Sequence, residues 1–120
     1  MTPNFDFDKL KELIESKDIK NRKIGNEMFD RINEENEIVT FPFVENMIYC
    51  LTIRVSVTGY NDYGGEIKNL IEEKLVQYQD SMLRGTLIFN VLTHIESDRI
   101  LYIDRNDICF VTIDLNVKQF

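Results

Sequence analysis

Apolar and polar residues alternate most cleanly from Cys50 to Thr58, "CLTIRVSVT". Leu51, Ile53, Val55 and Val57 share one side of an extended chain, and Thr52, Arg54, Ser56 and Thr58 share the other. That period predicts a strand with one dry face and one polar face. After the turn "GYNDYGG", the apolar residues Ile67, Leu70, Ile71, Leu75 and Tyr78 recur at helical spacing. They predict an amphipathic helix over about 65–79. Near the start, Phe7, Leu10, Leu13 and Ile14 predict a first helix within "DFDKLKELIE", residues 6–15, with Asp6 or Asp8 at its positive end.

Between these elements the pattern is weaker. "SKDIKNRKIGN" breaks the helical period and predicts a turn at Gly25. "EMFDRI" alternates around Met28 and Asp30 and suggests a short strand, and "NEENE" reads as a solvated charge run. Pro42, in "TFPFVENMIYC", has no amide to give a ladder, so it belongs at an edge or at the start of the next strand. The last third predicts three strands: "TLIFNVLTHI" (86–95), apolar enough to be central, then "RILYID" (99–104) and "ICFVTIDLNV" (108–117). In the last of these, Cys109, Val111, Ile113, Leu115 and Val117 fall on one face. The links "ESD" and "RND" are short enough for antiparallel hairpins.

Together these elements predict an α+β fold for residues 1–120 as a single domain. It has two layers: a mainly antiparallel sheet of about four strands, with the N-terminal helix and the 65–79 helix packed on one face. A chain of 120 residues with 43% apolar residues buries a core without a metal or disulfide staple. Cys50 and Cys109 are far apart, each in an apolar run, and read as buried reduced thiols. No run reaches the roughly 18 apolar residues of a membrane span. The acidic start "MTPNFDFDKL" lacks a signal-peptide pattern, which makes a cytoplasmic product the expectation. The net charge of −7 argues against a general binder of nucleic acid or anionic lipid, both of which need surplus Lys and Arg.

Candidate chemistry is sparse. There is no nucleophile elbow, phosphate loop or zinc-protease helix. The only histidine, His94, sits in an apolar strand pattern and reads as structural. "DRND" (104–107) has calcium-type side chains without the rest of a calcium loop, and Glu72 and Glu73 belong on the solvent side of the predicted helix. "KNRK" (20–23) is too isolated in so acidic a chain to make a nucleic-acid site. No catalytic, metal or cofactor-binding residue is therefore expected, and no cofactor. The turn at 59–66 has amides at a predicted helix start, which favours anions, but Asp62 and Glu66 oppose one. Tyr60 and Tyr63, beside mobile glycines, are the kind of residues found in protein contacts.

The order of elements, the "FPFV" segment (Phe41–Val44) and the run "TIRVSVT…EI…LIEEKL" resemble the small tail-terminator, or tail-completion, proteins of long-tailed phages. The resemblance implies a non-enzymatic structural subunit, made in the host cytoplasm and carried in the virion tail. It would form a hexameric ring that ends the tail tube and joins it to the head connector. Its partners would be its own copies, the tail tube and the connector, without sequence-specific nucleic acid or membrane. Acidity would then keep a DNA passage from binding phosphate. Phe41, Phe43, Tyr60, Asp62 and Tyr63 are the candidate protein-contact residues. An acidic inhibitor or immunity-type protein, steered onto a basic nuclease or nucleic-acid-binding partner, is the alternative. A small enzyme using carboxylates alone would need a pair in a cleft, and the sequence nominates none.

Overall fold

In the computed structural model the described residues are 5–59, 66–83, 85–92 and 99–113. Two helices come first: α1 (Phe7–Ile14) and α2 (Ile19–Glu35). Five strands follow, β1 (Ile48–Gly59), β2 (Glu66–Leu83), β3 (Thr86–Val91), β4 (Ile100–Asp104) and β5 (Ile108–Ile113). They form one antiparallel sheet in the order β4-β3-β2-β1-β5. The predicted α+β class is the observed one, with five strands rather than about four.

The helix expected over about 65–79 is instead the central strand, β2. Its residues favour helix on propensity, but β1 offers a twelve-residue partner, from Ile48 opposite Gln77 to Gly59 opposite Glu66. Tertiary pairing overrides local preference. The three-and-four spacing arose because both faces of β2 carry apolar residues. Val76 and Tyr78 point to one core and Ile71 to the other. Glu72 and Glu73, being adjacent on a strand, point to opposite faces.

The region expected to turn at Gly25 and form a short strand is one helix. Asp18 caps α2 by accepting from the Lys20 amide, and Asp6 caps α1 by accepting from the Lys9 amide. Gly25 is a close approach rather than a break. A Cβ there would lie 2.6 Å from the Ile14 backbone nitrogen and 2.7 Å from Ile14 Cγ1. "NEENE" is largely the end of α2, and Asn33 is buried. Its amide donates to the carbonyls of Arg105 (2.9 Å) and Ile108 (2.6 Å), and Asn36 donates to the Cys109 carbonyl (2.8 Å).

The sheet is curled. β4 and β5 lie at opposite ends of the strand order, yet only Arg105–Asp107, a 3-10 turn, joins them. Four strand spacings span roughly 19 Å when flat, too far for so short a link. β2 also has to bend: its 18 residues would run to roughly 55–60 Å, whereas the molecule's longest extent is 46 Å. Register shifts near Tyr78–Asp80 and Ser81–Leu83 mark the bends. The link "RND" is consequently not a hairpin: β4 and β5 are both antiparallel to β1 and run in the same sense. β3 lies beside the β4 edge, so "TLIFNV" is not the central strand.

Curling gives two cores. Tyr49, Leu51, Ile53, Val76, Leu87, Phe89, Val91, Ile103 and Ile108 fill the concave side. Leu10, Ile14, Phe29 and Ile32 of the helices meet Ile71, Cys109 and Phe110 on the convex side. The helices thus cover the polar face of β1, which is not solvated as expected. Thr52 is only 4% exposed. Arg54 stacks 4.3 Å over the Phe29 ring and donates to Asp30, Asp107, Asn26 and the Asn106 carbonyl. A bulge at Thr52/Ile53 leaves Cys109 without a partner on β1. That extra residue puts Ile108 in the concave core and Phe110 in the convex one, splitting the face predicted for Cys109, Val111 and Ile113. Leu115 and Val117 lie outside the described residues.

Gly25→Ala tests the helix contact. Helix propensity alone favours alanine by about 1 kcal/mol. Here the added methyl meets backbone that cannot move aside, so the substitution is expected to destabilise by about 1–3 kcal/mol, read as a lower urea midpoint at unchanged slope.

Candidate protein-contact site

Residues 37–46 form a strap across the open end of the concave core. Both ends turn through left-handed backbone, at Glu37 (φ 54) and Asn46 (φ 71). Between them lie a 3-10 turn, Ile38–Thr40, and the "FPFV" segment, where the Phe43 amide donates to the Phe41 carbonyl at 3.1 Å across Pro42. Asn46 donates its amide to the Tyr78 carbonyl, and Tyr78 returns one to the Met47 carbonyl. Val44 donates its amide to the Tyr49 hydroxyl at 2.9 Å. Arg105 donates to the Ile38 and Phe41 carbonyls and lies 5.3 Å from the Phe43 ring centre.

Phe41 and Phe43 are therefore half-buried and committed mainly to the chain's own core. Phe43 touches Phe41, Tyr49, Tyr78 and Phe89 with ring centres 4.6–5.6 Å apart. What the strap offers to solvent is Val39 and Val44, each 55% exposed, with Pro42 between them. Tyr60, Asp62 and Tyr63, the other contact candidates, lie outside the described residues, as does His94.

A second apolar area was not expected from the sequence. The helices cover the convex face over β1, β2 and β5 and leave β4 bare. Ile100 (48% exposed) and Tyr102 (57%) stand there, paired across the ladder with Asn90 and Ile88. The alternation of "RILYID" was the signal, since it gives two apolar residues to each side of an edge strand.

Two hollows flank β4. One, of about 460 Å³, opens onto the concave face between Ile53, Val55, Val91 and Leu101, with Glu72, Lys74 and Arg99 at its rim. Lys74 and Glu72 are 3.4 Å apart, so much of that rim charge is internally balanced. The other is a groove of about 280 Å³ between β1 and β4, lined by Ile53–Ser56, Leu101–Asp104, Thr86 and Asp107. The carboxylates of "DRND" are engaged there: Asp104 accepts from the Thr86 hydroxyl at 3.0 Å and Asp107 from Arg54 at 3.1 Å. Among the described residues no group of three or more His, Cys, Asp or Glu converges as a metal set, and no helix is long and apolar enough to cross a membrane.

Two titrating groups are displaced. Burial pushes the Cys109 thiol up from 9.0 to about 12, with Arg54 opposing. Burial also pushes the Tyr78 phenol up from 10.0, helped by Asp80 and opposed by Arg105. Cys50 is half-buried rather than buried, and both cysteines are free thiols. Compared with known proteins, the chain matches no family model, no curated protein and no solved structure.

Phe43→Ala is expected to cost about 2–3 kcal/mol, because the ring joins the strap to three strands; urea unfolding of the variant measures it. In the native protein, iodoacetamide should modify Cys50 well before Cys109, whose thiol stays protonated until the chain opens. Both raised groups hold their protons more tightly when folded, so their stabilising share is complete at low pH. For Cys109 that share is full below pH 9.0 and is lost as pH climbs through about 12. Unfolding midpoints should accordingly fall as the pH is raised above 9.

Proposed function

We propose that the protein is a non-enzymatic assembly subunit that forms a head-to-tail ring, most specifically the hexameric terminator that ends a phage tail tube and meets the head connector. The observation that carries this is that the exposed apolar residues, which also include Ile19, Ile24 and Ile113, contain two separate areas. One is the strap, with Val39 and Val44; the other is the bare convex face of β4, with Ile100 and Tyr102. A closed ring of identical subunits needs two different surfaces that fit one another, whereas a two-fold dimer needs only one. This support does not depend on a helix at 65–79, the part of the phage likeness that the strand β2 removes.

Exposed carboxylates at the end of α2, namely Asp30, Glu34, Glu35 and Glu37, favour a second reading. There the protein is an acidic inhibitor that occupies a basic nuclease or nucleic-acid-binding partner. Tight association that weakens steeply with salt distinguishes it from ring closure through apolar patches.

Native mass spectrometry over a concentration series, with negative-stain images of the largest species, tests the ring. A six-subunit species with a central hole is expected. Val44→Glu and Tyr102→Glu should each abolish it while leaving a folded monomer. Mixing the two variants should restore a dimer and nothing larger, because each retains one intact surface. Monomers at every concentration, with no binding to tail-tube ends, would sink the proposal.

A further inference from the structure

We propose that the groove between β1 and β4 accepts an extended peptide segment of alternating apolar and basic residues, which adds to the sheet as a strand. The inference rests on the backbone and does not require the ring. Among the described residues β5 pairs with β1 from Tyr49 to Ile53, one pair past the bulge. Beyond it, between Arg54 and Ser56, the β5 side of β1 has no ladder partner among the described residues. Among the described residues β4 is paired with β3 on one side and with no strand on the other. The curl of the sheet turns these two unpaired edges toward each other across the groove they both line. Each edge presents amides and carbonyls at strand spacing, and an extended chain between them satisfies both.

The lining also states which side chains such a strand carries. Successive residues of a strand point to opposite faces. On the concave side the groove floor is Ile53 and Ile103, both core residues, with Leu101 beside them. Apolar side chains fit there. On the convex side stand Asp104, Asp107 and Tyr102. Among the described residues Arg54 is the one cation lining the groove, and it already pairs with Asp30 and Asp107, so a surplus of negative charge remains there. Basic side chains complement that surplus, and the phenol ring adds a face for their stems or for a guanidinium. Alternation of valine or isoleucine with lysine or arginine meets both sides at once.

The test uses the full chain and a fluorescein-labelled peptide of alternating valine and lysine. Two comparison peptides are the same sequence N-methylated at alternate backbone amides and a valine–glutamate peptide. Fluorescence anisotropy at low salt should show binding of the first peptide alone. Amide exchange should slow at Arg54–Ser56 and Leu101–Asp104 when it is added. Asp104→Asn, which keeps an oxygen for the Thr86 hydroxyl, should weaken binding about threefold. The N-methylated peptide needs no protein variant, so the proposal stays exposed to refutation whatever Asp104→Asn does to folding. Equal binding of the N-methylated peptide, or protection mapping elsewhere, would overturn strand addition. Protection of the same edges that grows with protein concentration and needs no peptide would overturn it in favour of a second copy of this chain.

Discussion

Arg105, Asn106 and Asp107 are all that joins β4 to β5, and those strands lie at opposite ends of one sheet. Most of the architecture follows from that short tether. The sheet has to curl until its ends meet, which makes one face concave and lets five strands share a core. The other face becomes convex and needs the helices. The tether itself is pinned from three directions. Arg105 donates to the strap, Asn33 reaches from α2 to the Arg105 and Ile108 carbonyls, and Arg54 reaches from β1 to Asp107 and the Asn106 carbonyl. Buried carbonyls at a strand start are costly when unpaired, so these side chains close the sheet where a ladder cannot.

The strands β1 and β4 and the helix α1 were legible because their periods match one environment per face; β5 was legible as a strand, although its bulge divides the predicted face between the two cores. β2 was not. A strand between two cores shows apolar residues on both sides, and in "KNLIEEKLVQY" that superposition imitates a helical stripe. α2 was hidden by the opposite error. Gly25, Met28, Phe29, Ile32, Asn33 and Asn36 do follow a helical period, but only if a glycine and two asparagines count as inward-facing. Gly25 is small because Ile14 touches it, and the asparagines are polar because carbonyls lie opposite them. Neither reason exists until the partner element is in place.

The contact candidates divide in the same way. An "FPF" run looks like a sticky surface, yet its rings are held largely by Tyr49, Tyr78 and Phe89. The residues left outside are their smaller neighbours, Val39 and Val44. Ile100 and Tyr102 stand exposed for a topological reason: β4 is an end strand of the sheet, and the helices pack chiefly on β2 and β5. Among the described residues the deeply buried thiol of Cys109 is held in its protonated form.

The reliance of α2 on β5 has a consequence for synthesis. Phe29 and Ile32 emerge from the ribosome early, but Cys109 and Phe110, which cover them, are made some eighty residues later. Pairing across so long a separation is slow to nucleate. Until residues 108–113 are available, the nascent chain carries an amphipathic helix pair with half its apolar stripe open to water. Such an intermediate is a natural client for a chaperone and a natural site of self-association. Completion of the α2 packing therefore waits on the docking of β5.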